Sequence, residues 1–564
     1  RTQYCCSRVR KVRIGGKRAI VKDHIFFWEF RAYVIHFPRL AAKIMNHTGI
    51  VEQMNGNNSS VWGEQALKKF IDRTTTYRLM LYYLLVLFVV ALFFCTIGIL
   101  PYAPAALLWS AIVLIVVSWA ANTFFARAVG AVTNVESVFI TAFILVLIMS
   151  PIMFADVSGS ITLVIVAVLA IASKYILAIG KKHVFNPVAI AVVLSAFLLG
   201  MPATWWVAGN TVLLPFVFIG GLTVVYKLRR FDLVLAFGIA ALVLVAFTSS
   251  NPIAGIQATL LYSVFFFFTF VMLTEPATMP PTRVLRIVYG VLIGVLFIWA
   301  PHIGPLYFSP EVSLIVGNIF SYLVSPKGRY TLSLVERRSL ARGMYEYIFR
   351  SNRPLRFSSG QYFEWTLGSV PPDNRGNRRF FTIASAPEEA TLALGVRFYD
   401  QPSAFKRTLA ELPVGGVISA ASLAGDFTMP KNTKRKLAFI AGGIGVTPFA
   451  SMARHCIAAR ESRDATLLYS SKTASEIAYQ DVFARAERVG WRVVYVLSDE
   501  TPLLPGARGG FIDAEIIKHE IPDYLERLFY ISGPPGMVDA MKDILINLGI
   551  SRFAIKTDFF PGLA

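Results

Sequence analysis

From Arg78 to Val324 the chain is dominated by apolar runs with few charges inside them. A backbone threaded through such surroundings must satisfy its own polar groups, which leaves helix as the natural solution. Ten segments can be marked, at about 78–100, 104–126, 135–154, 160–179, 187–204, 211–226, 231–248, 254–274, 284–300 and 307–324. Several are shorter than the roughly 20 residues a straight membrane span needs, so broken or tilted helices are expected among them. With 55% hydrophobic residues and a mean hydropathy of +0.57 over 564 residues, the chain is too apolar for a soluble protein and too long for one domain.

The formal charge of +21 has an explanation in topology. With the N-terminus in the cytoplasm, Arg127, Lys181, Lys182, Lys227, Arg229, Arg230, Arg283, Arg286, Lys327 and Arg329 all fall on inner connectors, and the outer connectors contain no Lys or Arg. The expectation is a multi-pass protein of the bacterial inner (cytoplasmic) membrane with both termini cytoplasmic. Its partner is the lipid bilayer and it binds no nucleic acid. Residues 1–77 form a basic cytoplasmic extension, of which 1–53 hold no apolar run long enough to span; Met54 is a candidate translation start.

Four scattered cysteines, Cys5, Cys6, Cys95 and Cys456, make neither a disulfide framework nor a four-thiolate cluster. None of the seven histidines pairs with another inside an apolar span. Neither haem, nor an iron–sulfur cluster, nor another metal site is expected.

After Ser325-Pro326-Lys327-Gly328 the apolar runs stop and short alternating strands begin, predicting an antiparallel β-barrel over 326–430. From 431 to 564 the pattern changes to βα alternation, predicting an α/β nucleotide-binding domain. The expected fold is therefore multidomain: a polytopic α-helical membrane domain of about ten spans over 78–325, then the barrel, then the α/β domain.

Within the barrel, Arg379-Phe380-Phe381-Thr382-Ile383-Ala384-Ser385 lies on a strand and suits a dinucleotide. Arg379 can fork two donors onto a pyrophosphate, Phe381 can lie flat on a ring system, and Thr382 can hydrogen-bond a flavin where it accepts hydride. In the α/β domain a buried-strand run, Leu437 to Ala441, leads into Gly442-Gly443-Ile444-Gly445-Val446-Thr447-Pro448 and a helix. Glycines there let the backbone approach a pyrophosphate whose charge is met by the helix N-terminus.

These motifs, with Phe357 to Tyr362 and Phe529 to Met537 in the same order, resemble the ferredoxin-NADP reductase family. The resemblance implies FAD held by Arg379, Phe381, Thr382, Ser385, Arg397 and Gly425, the last in the turn Leu423-Ala424-Gly425-Asp426-Phe427. It implies NADH or NADPH held by Gly443, Gly445, Thr447, Pro448, Gly533, Pro534 and Met537. Hydride transfer would involve Phe381, Thr382 and Ser532, which stands where the family often has Cys. Thr557-Asp558-Phe559-Phe560 resembles the family's C-terminal stretch, with Phe560 near the flavin. Lys472 is the candidate contact for a 2′-phosphate, and the choice between NADH and NADPH stays open.

Three polar motifs interrupt the apolar region on its inner side: Asn134 to Ser137, Phe185-Asn186-Pro187 and Leu273-Thr274-Glu275-Pro276. Amides and carboxylates beside prolines at membrane depth are costly unless they line a cavity or ligand. Together with Ala172-Ser173-Lys174-Tyr175 and Ala203 to Trp206, they resemble the flavin-binding membrane subunits of the Rnf complex and of the sodium-translocating NADH:quinone reductase. This resemblance covers about 70–325. It implies FMN or riboflavin in the membrane domain, one near Asn186 and Glu275, another at a threonine after the fifth span. Here that place reads Ala208-Gly209-Asn210-Thr211, keeping Thr211 without the rest of the family's Ser-Gly-Ala-Thr.

The combined expectation is an NAD(P)H-dependent flavin oxidoreductase. Electrons would pass from NAD(P)H through FAD to a membrane flavin, and on to a quinone or an extracytoplasmic redox partner. The alternative is a redox-regulated or redox-driven ion transporter.

Overall fold

The computed structural model describes residues 12–14, 17–19, 70–71, 74–129, 135–179, 182–303, 306–326, 329–367, 378–500 and 506–558. Met54, Asn134 and Phe560 lie outside them.

Residues 71–564 form one compact unit. Its first part holds ten helical segments at the places the apolar runs predict. They are α1 (Thr76–Thr96), α2 (Pro104–Val129), α3 (Val135–Ile148), α4 (Val157–Ile176), α5 (Pro187–Leu199), α6 (Leu214–Leu228), α7 (Phe231–Thr248), α8 (Pro252–Tyr262, continued by Phe265–Met272), α9 (Arg283–Trp299) and α10 (Pro310–Val324). The two pieces of α8 are bent by 63°, and the second ends in a π-turn at Phe268–Met272 that leads straight into Thr274 and Glu275.

The expectation of about ten membrane spans is corrected. Among the described residues four helices, α1, α2, α4 and α7, are long and apolar enough to cross a membrane, or five if α8 counts as one bent span. The reason is length. Helices α3, α5, α6 and α10 have 13 to 15 residues, or about 20–23 Å against a hydrocarbon layer of roughly 30 Å. Helix α3 stops at Ile148, ahead of Pro151, and α5 stops at Gly200, which takes a left-handed backbone (φ 66°).

The helices pack through small residues. A Cβ at Gly290 of α9 would lie 2.9 Å from the Leu233 carbonyl of α7, and one at Gly294 would lie 2.6 Å from the Phe237 carbonyl. This close backbone approach is the way apolar helices associate where hydrophobic burial alone discriminates little. The outer surfaces stay apolar, with Phe124, Ile176, Phe247 and Ile253 all exposed.

The barrel sheet comprises β1 (Tyr330–Ala341), β2 (Met344–Ser351), β3 (Tyr362–Thr366), β4 (Arg378–Thr382), β5 (Leu392–Arg397) and β6 (Val417–Ala424), in the order β4-β3-β6-β1-β2-β5 and antiparallel throughout. Leu332, Phe349, Phe363, Trp365, Leu394 and Ile418 alternate inward to fill it. The last domain has β7 (Leu437–Gly442), β8 (Ala465–Ser471), β9 (Trp491–Leu497), β10 (Arg508–Gly509), β11 (Leu528–Ser532) and β12 (Ile555–Asp558), all parallel, in the order β10-β9-β8-β7-β11-β12. Strand β7 is buried along its whole length, as a central parallel strand must be. The order reverses beside it, which is where an open parallel sheet leaves a crevice for a ligand.

Candidate functional site

Among the described residues strand β4 pairs only with β3, setting Arg379 opposite Trp365 and Thr382 opposite Tyr362. Arg379 is buried, and its guanidinium carbon lies 5.6 Å from the Phe405 ring. Phe381, half-buried, sits 5.8 Å from the same ring. Phe405 belongs to a helix, Ala404–Glu411, whose first turn is capped by the Ser403 hydroxyl. One guanidinium, two aromatic faces and a helix start thus converge.

Thr382 is buried, and its hydroxyl has no hydrogen-bond partner among the described residues. A buried hydroxyl left so costs free energy unless a ligand meets it. Gly425 has a φ of +122°, open to glycine and strained for other residues, and a Cβ there would press to 3.2 Å against the Tyr362 ring. These features fit a flavin lying along β4. Ser385 plays a different part: its hydroxyl accepts from the Ala393 N–H (3.1 Å), and its carbonyl accepts from the Ser451 hydroxyl (2.7 Å), joining the barrel to the α/β domain. The same joint carries Arg454, which donates to both oxygens of buried Glu346 and to the Ala384 carbonyl.

At the end of β7, a 3₁₀ turn at Gly443–Val446 passes into the helix Thr447–Ala459, with Pro448 in its first turn. The glycines are required by packing. A Cβ on Gly442 would lie 2.2 Å from the Met537 sulfur, and one on Gly445 would lie 2.6 Å from both Gly533 Cα and the Ser532 carbonyl. The loop therefore brings Gly442 against Pro534 and Met537 and Gly445 against Ser532 and Gly533, while Gly443, Thr447 and Pro448 continue it into the helix. Backbone N–H groups exposed at such a turn and helix start fit a pyrophosphate. Arg397 reaches the loop from β5; a Cβ on Gly443 would be 3.5 Å from its Nη1, and its Nη2 lies 2.9 Å from Glu476. Lys472 lies 3.9 Å from Asp499.

Asp558, the last described residue, is paired in register with Ser532. Burial pushes its carboxyl up to about 7, with the charge of Arg229 opposing the rise, and its Oδ2 has no hydrogen-bond partner among the described residues. An acid whose folded pKa lies above its unfolded 3.8 makes the fold lose stability as pH rises between those values. The difference in melting temperature between wild type and Asp558→Asn is therefore expected to shift in favour of the variant from pH 4 to pH 7, and then to level off.

In the helical part, Asn186 and Glu275 come together. The Asn186 side chain hydrogen-bonds the Glu275 carboxylate and, through Oδ1, accepts from the Val188 and Ala189 N–H groups at the start of α5. Thr278 donates to Glu275 (3.2 Å), and Lys174, within electrostatic reach of Glu275, donates to the Ser137 carbonyl (3.0 Å) and hydroxyl (3.2 Å). Thr211 is at the other end of α5, half-buried in the turn before α6, where Asn210 accepts from the Val212 N–H. Sequence reasoning missed two carboxylates. Buried Glu311 accepts from the Trp205 indole (2.7 Å), and Asp426 reaches α9. Both partners lie more than 100 residues away in sequence, at |i−j| of 106 and 143, so no local pattern announces them.

Residues 439–543 match the family described as the oxidoreductase NAD-binding domain. The chain is 30% identical over 216 residues to the reductase subunit of an aromatic O-demethylase from an Amycolatopsis species, covering 37% of this chain and 63% of that protein. It is 28% identical over 223 residues to a flavohemoprotein of Oceanobacillus iheyensis, covering 38% and 53%. It is 26% identical over 242 residues to NADH-cytochrome b5 reductase 1 of Aspergillus terreus, covering 41% and 81%. A solved cytochrome P450 reductase from Amycolatopsis aligns with a TM-score of 0.37 at 28% identity, over 41% of this chain and 69% of that one. The chain thus spans under two thirds of the length of the first two relatives. With the glycine loop, the β4 strand and these sequence relatives in agreement, the C-terminal part of the chain is the oxidoreductase part of the protein and resembles the ferredoxin reductase-like FAD- and NAD(P)H-binding modules.

Proposed function

We propose that this chain is a membrane-bound NAD(P)H-oxidising flavoprotein that hands electrons from its reductase module to a flavin site in its helical module. From there they pass to a quinone or an acceptor on the far side. The observation that carries the proposal is the position of Tyr77 at the start of α1. It is half-buried, within electrostatic reach of Glu364 and Arg378 on the barrel side and of Glu275 and Glu136 on the helical side. Arg378 belongs to the strand that carries Arg379, Phe381 and Thr382. Strand β4 and the Asn186–Glu275 group thus each place a charged residue within electrostatic reach of one tyrosine.

Bound FAD supplies the conversion of a two-electron hydride into single-electron steps. The chain's own residues prepare for it. Gly445 and Gly533 let the glycine loop pack close beside Ser532, where a nicotinamide would sit, Thr382 would offer its unpartnered hydroxyl to the flavin ring, and Arg379 would meet the pyrophosphate. In the helical module Asn186, Glu275 and Lys174 would orient a second flavin, and Thr211 would serve one at the opposite end of α5. The exposed apolar flanks of α2, α4 and α7 suit a lipid bilayer.

Proteoliposomes with the reductase module outward and ferricyanide sealed inside test this reading. NAD(P)H added outside is expected to reduce the enclosed dye. Thr211→Val is expected to slow that step at least tenfold while leaving reduction of an external dye unchanged. If the enclosed dye stays oxidised while a quinone in the bilayer is reduced, electrons stop at the membrane and the protein is an NAD(P)H:quinone reductase.

A further inference from the structure

Helix α9 begins at Arg283, and its own N-cap residue, Thr282, makes no side-chain cap. The cap comes instead from the reductase module. Both oxygens of Asp426 accept from the Arg283 N–H at 3.0 Å, and Oδ2 also accepts from Arg286 Nη2 at 3.3 Å. Arg286 is itself buried and committed. Its Nε donates to Asp232 of α7 at 2.8 Å and its Nη1 to the Pro281 carbonyl at 3.1 Å. A carboxylate at a helix N-terminus satisfies orphan donors and opposes the positive end of the helix dipole.

Asp426 is also tied to the flavin side. It follows Gly425, where an added Cβ would meet the Tyr362 ring, and Tyr362 is the cross-strand partner of Thr382. It precedes Phe427, which is buried against Phe449 and Tyr530 of the α/β domain. One short turn therefore links three things: the strand facing the flavin, the core of the nucleotide domain and the first turn of a membrane-module helix.

We propose that Asp426 is a positioning residue, the latch that fixes the distance between the reductase flavin and the helical module by capping α9 and closing the Asp232–Arg286–Asp426 chain. The proposal rests on the inter-module electron transfer proposed above, and it acts on that step alone.

The test uses the full chain in proteoliposomes. Asp426→Ala is expected to keep its FAD and to reduce an external dye within twofold of wild type, while transfer to the acceptor beyond the reductase falls at least tenfold. Asp426→Glu, which can still cap, is expected to recover most of that transfer, a pattern that mere loosening of the fold does not produce. A second measurement is independent of electron flow: amide hydrogen exchange at Arg283 is expected to quicken at least tenfold in Asp426→Ala and to stay slow in Asp426→Glu. Transfer within twofold of wild type in Asp426→Ala, or unchanged exchange at Arg283, would overturn the latch. If wild type transfers nothing, the proposed function fails and the exchange measurement alone decides whether Asp426 holds the modules together.

Discussion

Gly445→Val is expected to reduce the rate at which NAD(P)H bleaches the bound flavin by at least a hundredfold, with FAD occupancy unchanged. The reason is steric. Even the first carbon of a side chain at 445 would lie 2.6 Å from Gly533 Cα and from the Ser532 carbonyl, both backbone atoms that cannot swing aside. Valine adds two methyl groups to that conflict, so the 3₁₀ turn and the Ser532–Gly533 corner must separate. Misplacement of a reacting pair by about 1 Å is enough to cost on the order of a hundredfold in rate. FAD, held by β4 and the helix at Ala404 as proposed, would lie on the barrel side and feel none of this. Anaerobic mixing with NADH or NADPH, with flavin absorbance read before and after, separates the two effects. A variant that bleaches as fast as wild type would show that the crevice does not lie at this corner.

Arg379→Ala is expected to do the reverse. It should weaken FAD by about 10- to 150-fold, the equivalent of the roughly 1.5–3 kcal/mol that a hydrogen bond to a charged group contributes. Arg379 is only 5% exposed, so a bond from it to a pyrophosphate would be shielded from water. The protein should purify with little yellow colour and regain activity at high free FAD. Full occupancy at micromolar free FAD would remove Arg379 from the pyrophosphate site. The two variants divide the module into halves, one failing in hydride delivery and the other in flavin retention.

What the sequence reveals follows from the range of the interaction. The glycine loop and the β4 strand are legible because their chemistry lies within a few residues of itself: Gly443 and Gly445 with Thr447, or Arg379 with Phe381 and Thr382. The positions of the ten helices are legible because apolar runs are local. The number of spans is not, because helix length depends on where Pro151 and Gly200 halt the ladder, and several segments stop well short of a bilayer. The meeting of Asn186 with Glu275 can be suspected from their polarity alone, and Thr278 is a local companion three residues after Glu275, yet the part of Lys174 emerges only once α4, α5 and α8 have packed. Trp205 with Glu311, and Asp426 with Arg283, are long-range pairs. Glu311 looks like an ordinary first-turn acid and Asp426 like an ordinary turn residue until the chain closes on itself.

The distance in sequence between Arg283 and Asp426 also has a meaning in time. The 143 residues between them take a ribosome roughly 7–30 s to add at about 5–20 residues per second. During that interval α9 has left the ribosome with its leading N–H groups uncapped by any side chain of its own. The first turn of α9 receives its cap only once 426 of the 564 residues have been made. A chain that stops early carries an unfinished helix end, so the reductase domain records, in one hydrogen-bonded carboxylate, that synthesis has proceeded at least as far as Asp426.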